Sequence, residues 1–110
     1  MREIDITQEC LDFIDSQPER VTKKFLQLIE VMGEVKIVNS NFVKKILSTH
    51  FYELRIKAGN EYRVIMFAID HLNFAECTKV VCLNGFHKKS NKDYIKAINQ
   101  ADKILEDYLK

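Results

Sequence analysis

The sequence predicts an α+β fold in the order β-α-α-β-β-β-α, with two N-terminal helices packed on an antiparallel sheet and a helix at the C-terminal end. Three observations carry this. Apolar residues recur at helical spacing between Pro18 and Gly33, the period changes to two from Phe51, and helical spacing returns after Ser90. With 110 residues the chain has room for one core, so residues 1–110 are read as one domain.

Ile4 and Ile6 alternate with Glu3 and Asp5, which gives a short first strand. Thr7 is placed to cap a first helix that carries Leu11 and Ile14 on one side and stops near Ser16. After Pro18, a residue suited to a helix start, Val21, Phe25, Leu28, Ile29 and Met32 form an apolar stripe, while Lys23, Lys24 and Gln27 turn outward. Gly33 is the expected stop. Asn39-Ser40-Asn41 reads as a turn, and Phe42 to Leu47 as one or two helical turns.

From Phe51 onward, Tyr52, Leu54, Ile56 and Ala58 share one face and Glu53, Arg55 and Lys57 the other. Gly59-Asn60 supplies a tight hairpin. The run Tyr62 to Ile69 is apolar apart from Arg63, as expected of a central strand covered on both sides. A loop from Asp70 to Glu76 leads to a third buried strand, Lys79 to Leu83, after which Asn84-Gly85 reads as a turn. Ser90 and Asp93 resemble a capping box for the last helix, with Ile95, Ile98, Ala101, Leu105 and Leu109 as its buried stripe. Helices gathered on one face would leave the other face of the sheet for function.

Composition narrows the function. The chain is 46% hydrophobic and 30% charged, without an apolar run long enough to span a membrane or the low hydrophobicity of disorder. Acidic residues follow Met1-Arg2 where a signal peptide would be basic and then apolar, so a cytoplasmic location is expected. Cys10, Cys77 and Cys82 form an odd set without metal-ligand spacing and read as reduced packing residues. No cluster for a catalytic metal, no hydrolase motif and no phosphate-binding glycine loop is present, so no metal and no cofactor are expected. The net charge of +1 conceals an uneven distribution: −3 over residues 1–43, +5 over 44–96 and −1 over 97–110. Such a segment suits a phosphate backbone, or it is simply a solvated lysine face.

Arg63 is the most informative residue, because a guanidinium inside an apolar strand needs a partner. Either it pairs with Glu53, Glu61 or another acid, or its donors point into an open hollow to grip a phosphate. A second cluster, Gly85-Phe86-His87-Lys88-Lys89-Ser90, joins cations to a helix N-terminus, which favours anions. Phe86 or Tyr94 could stack on an unpaired base, and His87 is the residue type in the cluster suited to proton transfer.

Taken together, Tyr52-Glu53-Leu54-Arg55, Tyr62-Arg63-Val64-Ile65-Met66-Phe67 and Leu83-Asn84-Gly85-Phe86-His87-Lys88-Lys89, followed by a helix with Ile95 and Ala97, resemble the RelE/HigB-like toxins of type II toxin–antitoxin systems. The likeness is close over about residues 50–100, and the two N-terminal helices agree in order and length. It implies a metal-independent endoribonuclease that cuts messenger RNA, commonly on the ribosome, and is held inactive by a cognate antitoxin. In that chemistry the RNA 2′-hydroxyl attacks the adjacent phosphate. By matching motif, Arg63 would hold that phosphate and Lys88 or His87 would complete the anion site. His87 or Tyr94 would serve as acid or base, and Arg55, Lys57, Phe86, Lys89 and Lys92 would contact RNA. The helix running on to Lys110 departs from relatives that end on a catalytic histidine or tyrosine. A two-residue loop would also set Arg55 opposite Val64, on the other face from Arg63, whereas a bulge or an odd loop would bring the two arginines together. Two alternatives stand beside this reading: a ParE-like toxin that inhibits gyrase without cutting RNA, and an inactive relative that binds only its antitoxin.

Overall fold

The computed structural model describes residues 1–110. Strand β1 (Glu3–Ile6) leads into α1 (Gln8–Asp15) and α2 (Glu19–Glu34); β2 (Val43–Lys45), β3 (Tyr52–Ala58) and β4 (Asn60–Ala68) follow, then a 3₁₀ turn (Phe74–Glu76), β5 (Lys79–His87) and α3 (Lys92–Tyr108). The five strands form one sheet in the order β1-β5-β4-β3-β2. The sheet is mixed, because β1 runs parallel to β5 while all other pairs are antiparallel. No helix is long and apolar enough to cross a membrane.

The N-terminal helices form as the sequence predicts. The Thr7 hydroxyl accepts from the Cys10 amide at 3.1 Å and caps α1. On that helix Cys10 and Ile14 are buried, while Leu11 turns outward. Helix α2 begins after Pro18 and buries Val21, Phe25, Leu28 and Met32. Its end uses no left-handed glycine. Instead, the Arg2 guanidinium donates to the carbonyls of Met32 (2.6 Å), Val35 (2.9 Å) and Lys36 (2.6 Å), and also to those of Cys77 and Phe74. One cation thereby satisfies carbonyls that a helix end leaves unpaired.

Four expectations are corrected. Residues 43–45 form a short edge strand rather than helical turns, because Val43 and Ile46 go to opposite faces of the sheet while Lys44 and Lys45 stay exposed. The chain does not turn at Asn84-Gly85. β5 continues to His87, and Gly85 lies where the Phe13 ring closes on the sheet; a Cβ there would stand 2.3 Å from that ring. Helix α3 is rotated from the expected stripe: Ala97, Ala101 and Leu105 are buried, whereas Ile95 and Leu109 are exposed. The alanines let the helix approach the sheet closely.

The fourth correction matters most for function. The helices do not share one face. Helices α1 and α2 cover Leu54, Ile56, Val64, Met66, Val80 and Cys82, and α3 covers Phe51, Ile65, Val81 and Leu83 on the reverse. Strand β4 is therefore central and buried on both sides, as its apolar run requires, and no open sheet face remains. The three cysteines are free and buried. Burial pushes the Cys10 thiol up to about 12, consistent with inert packing residues.

Candidate functional site

The hairpin register decides which charged residues meet. Ala58 pairs with Asn60, so Gly59 alone makes the turn, at φ 79°. This odd loop places Arg55 directly opposite Arg63, on the same face, so the odd-loop alternative holds and the two-residue loop with Arg55 opposite Val64 does not. Successive rows on the α3 side then carry Lys44, Glu53, Ile65 and Asn84; next Arg55, Arg63 and Phe86; and finally Lys57 and Glu61. Beside the last row the Lys88 amide donates to the Glu61 carbonyl at 2.8 Å. Five cations and two carboxylates thus gather at one end of the sheet.

Arg63 does not stand open in a hollow. Its side chain is 3% exposed. Nη2 donates to Glu61 at 2.8 Å, Nε donates to the Tyr94 hydroxyl at 3.1 Å, and Nη1 donates to the Tyr62 carbonyl at 3.1 Å. Glu53, also buried, lies 3.5 Å from Arg63 Nε and accepts from Arg55 Nε at 2.7 Å. The sequence allowed two readings of Arg63, and the paired one is found. Burial works to lower its pKa, but the bonds to Glu61 and Tyr94 outweigh it, and the guanidinium stays charged. The same Arg63 bond holds the Glu61 carboxyl below its ordinary range, helped by Lys57 and Lys88. Burial raises the Tyr94 hydroxyl, so it keeps its proton at neutral pH.

The other expected site residues divide by position. Tyr94 joins Arg63, and its ring meets Phe86 edge-on at 5.1 Å between centroids. His87 does not join them: it pairs with Tyr62 and stacks on that ring at 5.0 Å, on the opposite face of the sheet. Lys89 and Lys92 are exposed where α3 begins. The anion position expected there is filled from within, since Asp93 accepts from the amides of Lys89 (2.7 Å) and Ser90 (2.9 Å), bonds that lower its own pKa. The capping box is half realised: Asp93 reaches back, but no side chain caps the helix.

Beside the network, a groove of about 420 Å³ opens between β2 and α3, lined by Lys44, Leu47, Arg55, Asn91 and Tyr94 among others. Lys44 was missed from the sequence because its segment read as helix; read as a strand, it falls in line with Glu53. Asn84 is also a member that sequence gave no sign of. It is buried and donates to the Ala97 carbonyl at 3.1 Å, tying α3 to the sheet. No three His, Cys, Asp or Glu side chains gather in a way that could hold a metal ion.

The arrangement can therefore hold anions through Arg55, Lys57, Lys88 and Lys44 at its rim, with a proton-bearing phenol behind them. Against known proteins, the family described as phage derived protein Gp49-like (DUF891) matches residues 12–106. No curated protein sequence matches significantly. Among solved structures, the toxin RelE of E. coli, as a double arginine-to-alanine mutant in the free state, superposes with a TM-score of 0.63 at 15% identity. The match covers 90% of this chain and 96% of that one, and at this identity it establishes a shared fold.

Proposed function

The chain belongs to the Gp49-like family of phage-derived proteins and has the RelE fold, and from that premise we propose that it is the toxin of a type II toxin–antitoxin pair, acting as an endoribonuclease on messenger RNA. The observation that carries this reading is the register that sets Arg55 against Arg63, with Lys57 and Lys88 beside them. Cations fixed before the substrate arrives are what a pentavalent phosphorane needs, and their placement costs no reorganisation during reaction. The RNA 2′-hydroxyl attacks the adjacent phosphorus and loses its proton to water; the P–O5′ bond breaks, leaving a cyclic phosphate and a 5′-hydroxyl, and Tyr94 regains its proton from water. Arg55, Lys57 and Lys88 neutralise the equatorial oxygens without a metal. Tyr94, whose raised pKa keeps it protonated, supplies the proton to the departing oxygen. Arg63 acts as a positioning residue that holds Tyr94 and Glu53, and it reaches RNA only if Glu61 lets go. Transcripts on the ribosome are the proposed substrate, and the partner is a cognate antitoxin bringing acidic residues to the same cations.

The test is expression in a bacterial host with primer extension on a reporter message. The wild type arrests growth and yields discrete cleavage ends, also in extracts treated with chelator. Lys57→Ala with Lys88→Ala, at positions that no packing requires, reduces cleavage at least about tenfold, as loss of two phosphate contacts does. Full activity in that variant refutes the site. One observation favours a second reading, a toxin that inhibits gyrase without cutting RNA: His87 lies on the face away from Arg63 and Tyr94, which leaves the 2′-hydroxyl without an evident base. Loss of supercoiling activity with intact messages would select it.

A further inference from the structure

The two carboxylates on Arg63 differ in their freedom to leave. Glu53 is 5% exposed and is shared between Arg55 and Arg63, so it is locked in place. Glu61 gives one oxygen to Arg63 Nη2 at 2.8 Å while its side chain remains 39% exposed. Lys57 faces it across the hairpin, and Lys88, just past the end of β5, donates its amide to the Glu61 carbonyl. One guanidinium bonded to this anion, with two lysines near enough to act on it by charge without bonding it, is a set of cations suited to phosphate. Here a carboxylate from the same chain fills it.

We propose that the Glu61 carboxylate is a resident stand-in for a phosphate, and that an RNA phosphodiester binds by displacing it from Arg63, beside Lys57 and Lys88. For the choice of RNA this rests on the function proposed above. Charge favours the exchange, because one negative group replaces another and the site's balance is unchanged. Geometry favours it as well. The half-exposed carboxylate swings into water with little loss, and its departure uncovers Nη2 of an otherwise buried guanidinium without disturbing Glu53 or Tyr94. Glu61 thereby weakens the site for any anion too feeble to compete, which makes it a determinant of affinity built into the hairpin.

The experiment titrates inorganic phosphate into the full chain and follows the Arg63 Nε–H resonance by NMR. A bond to a carboxylate this exposed is modest, so Glu61→Gln lowers the half-saturating phosphate concentration by about fivefold, and Glu61→Ser moves it the same way. Glu76→Gln, which removes an equal charge at the distant 3₁₀ turn, leaves it at the wild-type value. Equal half-saturation in wild type and both Glu61 variants, or an Arg63 resonance that phosphate never moves, overturns the proposal. A second arm uses short single-stranded RNA carrying 2′-O-methyl groups, which binds but cannot be cleaved. Tighter binding by Glu61→Gln, again about fivefold, supports displacement by RNA. Tighter phosphate with RNA bound by no variant keeps the anion site and overturns the RNA reading. RNA bound equally by wild type and Glu61→Gln overturns displacement and keeps the RNA reading.

Discussion

Replacing Arg63 with alanine separates an arginine that supports the fold from one that merely waits for substrate. In the structure its side chain is 3% exposed and bonds Glu61, Tyr94 and the Tyr62 carbonyl. Truncation leaves Glu53 buried with Arg55 as its remaining cation, at 2.7 Å. Removing one partner of a buried ion pair costs about 3–5 kcal/mol. The retained Arg55 contact puts this case at the lower end, about 3 kcal/mol. The Glu61 contact adds little because that carboxylate is partly solvated. For a domain of this size the loss lowers the melting temperature by at least about 12 °C, and a typical stability of about 5–15 kcal/mol keeps the variant folded at 25 °C. Urea denaturation followed by circular dichroism measures the change. In the cycle with Glu53→Gln, the coupling between the two positions exceeds about 1 kcal/mol. An exposed, waiting arginine would change stability by no more than about 0.5 kcal/mol, so a loss below about 1 kcal/mol refutes the structural role. Growth arrest lost in Arg63→Ala is consequently read beside its melting curve.

Three further outcomes follow from other parts of the molecule. Arg2→Ala strips five carbonyls of their donor and costs about 3 kcal/mol in urea titration; Arg2→Lys does not restore it, since an ammonium lacks the planar fork. Gly85→Ala drives a methyl group into the Phe13 ring and lowers stability by about 1–3 kcal/mol, and adding Phe13→Ala makes the second substitution cheaper than it is alone, measured by thermal melting in a double-mutant cycle. Glu61 has its folded pKa below its ordinary 4.5, so its stabilisation is complete above pH 4.5 and disappears as pH falls through the folded value. The wild-type melting temperature therefore falls more steeply below pH 4.5 than that of Glu61→Gln.

Much of the fold was legible because its signals are local. The stripe Val21-Phe25-Leu28-Met32, the Thr7 cap and the alternation after Phe51 each need only neighbouring residues to take effect. The errors lie where a distant element decides. Residues 43–45 become a strand because the edge of β3 is free to receive them. Gly85 remains in a strand because Phe13, far away in sequence, needs the space. Helix α3 turns Ile95 outward because its alanines fit the sheet better. At the site, the sequence named Arg63, Tyr94, Arg55, Lys57 and Lys88, but it could not show that His87 lies behind the sheet or that Asp93 fills the helix N-terminus.

Local signals alone supply an inventory: the order of elements apart from the edge strand at residues 43–45, a central strand too apolar to face water, and an arginine within it that needed an anionic partner. Periodicity, capping and the cost of an unpaired charge act residue by residue and can be read without coordinates. Placement depends on contacts between distant parts of the chain. A single residue at the hairpin, Gly59, shifts every pairing of β3 with β4 by one and brings Arg55 onto the face of Arg63. Because side chains alternate across a strand, that one step determines which charges share a face and which never meet.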